Sequence, residues 1–170
     1  SAKGQGFLAE VAEAWEHASL PEDSAPFRLV RMRLGLVLSP DGGTLAKLLP
    51  IYKFGLGAPL GTGQQHMGWV HLDDVIQFIR WAAATPEVSG VYNVVAPRAN
   101  TNVEFSQSLA KALNRPHWAP KVPAFALSLA MGEMSSLLLE GQNVRPSRLL
   151  KARFQWRHPD LLGALQHCTS

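Results

Sequence analysis

The stretch Gly68-Trp69-Val70-His71-Leu72-Asp73-Asp74-Val75 limits the fold more tightly than any other part of the chain. Trp69 and Val70 read as the end of a short buried strand. Past the two aspartates, Val75, Ile76, Ile79 and Trp81-Ala82 recur at helical spacing. Asp73 or Asp74 fits the N-cap position, where a carboxylate accepts first-turn N–H groups and meets the positive end of the helix dipole. On its own this is a strand running into a helix, and the flanking sequence has to show which layer structure it belongs to.

The flanks do so. Phe7 to Ala18 is an amphipathic helix with Phe7, Leu8, Val11, Trp15 and Ala18 on one face and glutamates on the other. The polar stretch from Pro21 to Pro26 stops it. Phe27 to Leu38 reads as a buried strand, followed by the turn Ser39-Pro40-Asp41-Gly42-Gly43. Thr44 to Lys53 is a helix that Pro50 should kink or end. The glycine-rich run Gly55 to Gly63 reads as a surface loop or substrate flap. The helix after Asp74 ends near Thr85-Pro86, and Val91 to Val95 is a second short strand. Thr101-Asn102-Val103-Glu104 is a capping box opening a helix through Phe105, Leu109 and Leu113. Prolines at 116, 120 and 123 then mark a change of character. An apolar helix is expected around Phe125 to Met131, with helical turns at Leu137 to Glu140, Pro146 to Ala152 and Pro159 to Gln166. Alternating strands and helices argue α/β, with a helix-rich lobe at the C-terminal end. Domain organisation follows the same break, 1–115 and 116–170.

With 170 residues, 46% of them hydrophobic, the chain can bury a core. Its most apolar run, Val122 to Leu139, is interrupted by Pro123, Gly132 and Glu133, so no membrane span is expected. Ser1-Ala2-Lys3-Gly4 carries no hydrophobic leader and no initiator Met, which suggests processing or an excised piece. The single Cys168 forms no internal disulfide and suits a reducing compartment, with cytoplasmic the default. Net charge is +3, distributed unevenly: acidic residues load the first segment, and Arg145, Arg148, Lys151, Arg153 and Arg157 load the last, with Phe154 and Trp156 between them. That mixture can mark a nucleic-acid surface; the simpler account is a solvated helix face followed by a strand whose aromatics point inward.

Candidate chemistry is sparse. Gly4-x-Gly6-x-x-Ala9 matches a dinucleotide fingerprint as a string, but only Ser1-Ala2-Lys3 precede it, too short for the strand that the fingerprint requires. The loop Gly55 to Gly63 lacks a Gly-Lys-Ser/Thr ending, so it is not a P-loop, and no Gly-x-Ser-x-Gly elbow is present. The six histidines, 17, 66, 71, 117, 158 and 167, form no metal-ligand spacing with Cys, Asp or Glu, and no metal site is expected. His71 reads as a buried histidine holding backbone groups; a general-base role lacks an identifiable partner.

The late motif resembles the aromatic-hydrophobic-His-x-Asp-Asp-hydrophobic signature of extended short-chain dehydrogenase/epimerase families, with His71 and Asp74 at the matching positions. Arg31 to Gly43 looks like the sixth strand and following loop of those proteins. Leu48-Leu49-Pro50, the run Gly55 to Gln65, and Leu138 to Val144 resemble the epimerase-family subgroup of NADP-binding proteins, whose C-terminal lobe ends in a small domain of unknown function, matched from about Pro120 to Leu165. The resemblance implies an α/β fold: the C-terminal portion of an extended short-chain dehydrogenase (Rossmann-type) fold plus a mostly helical substrate-binding lobe. In the family the glycine motif and the Tyr-x-x-x-Lys pair precede the part matched here, and neither Tyr52 nor Tyr92 has Lys four residues later. The implied chain is therefore a C-terminal part without catalytic residues of its own. Backbone around Gly35, Leu36 and Val37 is implied to approach the nicotinamide end of NADP.

Sugar-nucleotide epimerases of the family place Asn three residues after the sixth-strand Arg and Arg four before the signature His. Leu36 and Met67 stand there instead, and apolar side chains cannot make the charge-assisted hydrogen bonds that a diphosphate needs. This argues against a UDP-sugar. Leu36, Phe54, Met67 and Trp69 would line an apolar pocket for an unknown small substrate, with Phe54, Met67 and Trp69 as the substrate-binding candidates; the same residues read equally as core. Two functions follow: the substrate-binding part of an NADP-dependent epimerase/oxidoreductase-like protein, or a noncatalytic interaction domain whose segment from Arg145 to Arg157 meets an acidic partner or nucleic acid. The sequence argues for the first and against nucleic acid as a partner. Self-association through exposed strand edges around Arg28 to Leu38 is also expected.

Overall fold

The computed structural model describes residues 7–18, 27–123, 125, 141 and 143–170. Its elements are α1 (Phe7–Ala18), β1 (Val30–Leu34), β2 (Leu36–Leu38), α2 (Gly43–Lys53), β3 (His66–Met67), β4 (Trp69–His71), α3 (Leu72–Ala84), β5 (Gly90–Val94), β6 (Asn100–Thr101), α4 (Asn102–Ala112), α5 (Ser147–Lys151) and α6 (Leu161–Thr169). Apart from Phe125, the helices expected at 125–131 and 137–140 lie outside the described residues, as does the glycine pair at 4 and 6.

β1 and β2 form one extended run that changes partner at Gly35. β1 pairs in parallel with β5, Val30 opposite Gly90 and Leu34 opposite Val94. β2 pairs in parallel with β4, Leu36 opposite Trp69 and Leu38 opposite His71. β3 and β6 form a short antiparallel pair. At the change-over the backbones of Gly35 and Gly68 touch: a Cβ on Gly35 would lie 2.4 Å from the Gly68 carbonyl oxygen and 2.9 Å from Val95 Cγ1. Only glycine admits that approach, and it lets the Leu36 N–H donate to the Gly68 carbonyl at 2.7 Å.

The run from Phe27 to Leu38 is not the fully buried strand that its composition predicts. Leu38 is completely buried, yet Met32 and Leu34 are 40% and 47% exposed. Among the described residues β1 has a strand on one side only, so its far edge stays uncovered. Trp15 likewise stands 74% exposed on the face of α1 expected to be buried. A paired Arg33–Glu16 contact, both bonds 2.6 Å, ties α1 to β1. Pro50 sits inside α2 without ending it. Lying in the last turn, it removes one donor and leaves its own carbonyl to accept from Phe54, where the helix stops.

The cap of α3 differs from expectation by one turn of logic. His71 is the N-cap, and its Nδ1 accepts the Asp73 N–H at 3.0 Å, because the chain is already helical at Leu72. Neither aspartate is needed for that position, so both are free for other partners. The capping box of α4 is as expected: Thr101 Oγ1 accepts from the Glu104 N–H, and Glu104 Oε2 accepts from the Thr101 N–H.

Strand alternation along β4 divides the core. Trp69 points to one side, among Leu38, Leu45, Phe105, Leu109, Leu161, Ala164 and Leu165. Val70 points to the other, among Val75, Phe78, Tyr92, Val94, Leu149 and Phe154. Residues on both sides of the division expected at 115/116 share both clusters, so the C-terminal segment closes the core of the preceding residues. Phe154 and Trp156 point inward as read from sequence, but in an irregular segment rather than a strand. Side chains anchor that segment in place of a ladder: Trp156 Nε1 donates to the Val95 carbonyl at 3.1 Å and Gln77 Nε2 donates to the Gln155 carbonyl. Phe78 lies at the centre of this side, with ring centroids of Tyr92, Trp81 and Phe154 at 5.4, 5.7 and 6.3 Å.

The glycine-rich run from 55 to 63 is a packed connection and not a free flap. Gly55, Gly57, Pro59 and Gly63 are buried. The Leu60 N–H donates to Asn102 Oδ1, the Gly61 N–H to the Val122 carbonyl, and the Val122 N–H to the Pro59 carbonyl, at 2.7, 2.8 and 2.9 Å. Gly57 lies against the Tyr52 ring, where a Cβ would fall 2.3 Å from ring carbons.

Phe78→Ala empties a site surrounded by aromatic rings and should cost about 3–5 kcal/mol of stability in urea unfolding followed by tryptophan fluorescence. Thr101→Ala should cost about 1 kcal/mol. The Glu104 carboxyl is held below its ordinary 4.5, chiefly by the Thr101 N–H. A depressed folded value means that its contribution is full above pH 4.5 and fades as pH falls through the lower folded value. The difference between wild type and Glu104→Gln should therefore shrink on acidification.

Candidate functional site

Two places concentrate chemistry-bearing residues, and β4 connects them. The first is the change-over at Gly35. Leu36 and Met67 are half-buried and pack against the cluster that holds Trp69. Trp69 is 1% exposed, with its Nε1 donating to Asn100 Oδ1 at 3.0 Å. Met67 Sδ accepts from Asn102 Nδ2 at 3.3 Å. Phe54 stands apart, 81% exposed at the end of α2. Three of the four residues read as one apolar pocket thus come together, largely as packing, and Phe54 does not join them. The Leu36 N–H is committed to Gly68, while Val37 is half-buried beside the second cluster.

The second place begins at His71, one residue past Val70 and so on the Trp69 side of the strand. Here the C-terminal segment returns. Asp74, 1% exposed, accepts from the Arg157 N–H at 2.6 Å and the His158 N–H at 3.1 Å. A buried carboxylate bound to two backbone donors fixes that segment against the first turn of α3. Asp160 then caps α6 by accepting from the Gly163 N–H at 3.0 Å, which sets the helix carrying His167.

The result is a cluster of three imidazoles and a carboxylate. His71 and His158 stack with ring centroids 3.9 Å apart; His167 lies 5.0 Å from the first and 4.6 Å from the second. His71 Nε2 is 3.1 Å from His167 Nδ1, and His158 Nε2 is 3.3 Å from Asp73 Oδ2. A backbone N–H can only donate, so His71 Nδ1 is the bare nitrogen and, in the neutral ring, the proton sits on Nε2 and is donated to His167 Nδ1. Burial, and after it the neighbouring His158, hold the His71 ring below its ordinary value of 6.5. Burial also pushes the Cys168 thiol up to about 11, leaving it an inert core side chain. His158 and His167 carry no sequence spacing that links them to His71; the only sequence signal was His71 beside an acidic pair.

The basic C-terminal segment is tied into the fold. Arg148 lies over the Tyr92 ring, 4.0 Å from its centroid, and donates to the Ser89 and Val91 carbonyls. Phe154 packs into the aromatic cluster, so it is not displayed for stacking on a base. Two grooves of about 310 and 320 Å³ share Arg145, one with Arg33, Asn93 and Arg148, the other with His66, Arg98 and Asn143. Neither is lined by Leu36, Phe54, Met67 or Trp69. Among the described residues no helix is long and apolar enough to cross a membrane.

Parallel strands that switch partner at a glycine contact, with helices on both faces, make this a Rossmann-type α/β fold of the extended short-chain dehydrogenase/reductase class. Over 94% of its length the chain superposes on human epimerase family protein SDR39U1, solved with NADPH, with a TM-score of 0.87 and 36% identity, covering 54% of that chain. It also matches a nucleoside-diphosphate sugar epimerase from Corynebacterium glutamicum, with a TM-score of 0.76 and 28% identity over 98% of this chain and 32% of that one. An epimerase family protein of Mycobacterium bovis is 40% identical over 169 residues, 98% of this chain and 56% of that protein. Residues 122–168 match a domain of unknown function, DUF1731. Over nearly all of its length the chain is similar to epimerase family proteins, and it spans about half the length of the curated relatives it matches.

Asp74→Asn keeps the volume but replaces one acceptor oxygen with a donor facing a backbone N–H. It should lower the unfolding free energy by about 2–3 kcal/mol in urea titration. Asp73→Asn, at a half-exposed position, should change it by about 0.5 kcal/mol or less.

Proposed function

We propose that this chain is the substrate-side part of an NADP-dependent epimerase/oxidoreductase-like protein acting on a small substrate that is not a UDP-sugar. The observation that carries the reading is the match to the NADPH-containing SDR39U1 structure over nearly all of this chain. In that reading the Gly35–Gly68 contact holds β2 beside β4 so that the backbone of residues 35–37 forms the wall below the nicotinamide, and the main nucleotide contacts come from the family's other half. Met67 and Leu36 support an apolar substrate: both pack against the core, and neither offers a donor to a diphosphate. Hydride transfer is the step expected of the class, with the substrate carbon held at the cofactor by apolar contact instead of a phosphate clamp. The open edge of β1, with Met32 and Leu34 exposed, is the surface at which another strand would pair, either from the remainder of such a protein or from a second copy.

A chimera joining this chain to the nucleotide-binding half of the Mycobacterium bovis relative provides the test. Calorimetric titration should give one NADPH bound per chimera, no saturable NADPH binding by the 170-residue chain alone, and no UDP-glucose binding by either. Tight NADPH binding by the chain alone would remove the split-site reading. UDP-glucose binding by the chimera, or a chimera folded by circular dichroism that ignores NADPH, would sink the functional one.

A further inference from the structure

We propose that Asp73, His158 and His167 form a binding site for a divalent transition-metal ion of the zinc class, with His71 as the positioning residue behind it. The site is independent of the cofactor reading, since all of its residues lie within this chain and none lines the Gly35 junction.

Geometry carries the proposal. One candidate ligand atom from each of His71, Asp73, His158 and His167 lies within 4.8 Å of all the others. Two ligands on a tetrahedral ion with bonds of about 2.0–2.1 Å sit about 3.3 Å apart. His158 Nε2 and Asp73 Oδ2 are 3.3 Å apart as the chain stands. Imidazole nitrogen with one carboxylate oxygen selects Zn²⁺, Co²⁺, Ni²⁺ or Cu²⁺ over Mg²⁺ and Ca²⁺, which take all-oxygen shells.

Its tautomer keeps His71 itself from ligating the ion. Its Nδ1 lone pair is held by the Asp73 N–H, so its Nε2 carries the proton and has no lone pair to give. Its Nε2–H now points at His167 Nδ1. Ligation by His167 Nδ1 exchanges this hydrogen bond for the metal: the His167 ring turns its lone pair from His71 to the ion, and the freed Nε2–H of His71 donates to a water or anion in the remaining coordination position. His158 Nε2 loses its hydrogen bond to Asp73 on ligation and gains the metal, the proton moving to Nδ1.

Access and rigidity agree with this. His167 is exposed, and the side chains of Asp73 and His158 are 35% and 17% exposed, so an ion can enter from solvent. Asp74 holds the His158 backbone and Asp160 holds the start of α6, so two of the three ligands are anchored before the ion arrives. A bound ion would link the first turn of α3 to the C-terminal helix, joining residues 73 and 167 across the chain.

The experiment uses the tag-free 170-residue chain after chelator treatment, titrated with Zn²⁺ by calorimetry and with Co²⁺ by visible absorption. One equivalent of Zn²⁺ is expected, with ligand-field bands for Co²⁺. His167→Gln, an exposed change that spares the fold, and His158→Ala should each weaken Zn²⁺ by about 100-fold or more; His71→Asn should weaken it by about 10-fold. His66→Ala, outside the cluster, should leave it unchanged. Circular dichroism of each variant separates ligand loss from unfolding. Absence of saturable binding near one equivalent, or one-equivalent binding that survives in a folded His158→Ala/His167→Gln double variant, would overturn the site.

Discussion

The Asp74 carboxylate is the interaction on which the rest of this structure depends. It sits in the first turn of α3, almost wholly out of water, and accepts two backbone N–H groups from Arg157 and His158. An unpaired carboxylate at that burial would be strongly unfavourable, and two N–H donors left without it would be costly as well. Each side therefore requires the other. The contact spans more than eighty residues of sequence and pins the C-terminal segment to the junction of β4 and α3.

Other features follow from that anchor. With residues 157 and 158 fixed, Phe154 and Trp156 are drawn toward Phe78 and Trp81, and α6 lies against α4 and β2 with Leu161, Ala164 and Leu165 in the core. The division of the core into two clusters comes from β4 itself. Its successive side chains, Trp69, Val70 and His71, point to alternate faces, and helices cover both. His71 is consequently carried to the face where α6 arrives, and the three histidines meet because of strand geometry and one buried carboxylate.

The glycine contact at Gly35 and Gly68 has the complementary role. It separates a strand pair, β1 with β5, from a second pair, β2 with β4, by letting two backbones touch where any side chain would hold them apart. Leu36 and Met67, which pack beside this contact, are apolar, and the proposal of a substrate poor in charge rests on them.

Sequence by itself determined the local elements. Periodicity placed α1, α3 and α4, the Thr101–Glu104 pair announced a capping box, and the Trp69–Asp74 motif with the Arg31–Gly43 segment pointed to the fold class; these are properties of neighbouring residues, within a few positions of one another. Tertiary structure decided which polar groups face which. Sequence assigned Asp73 or Asp74 to the cap, but His71 took it, and nothing local to Asp74 signals that its partners are the amides of residues 157 and 158. Likewise Phe54 belongs with Leu36 and Trp69 by composition but stands in solvent at the C-cap of α2. The histidine cluster was invisible because its members come from 71, 158 and 167, and only long-range packing makes a site of residues that no spacing relates.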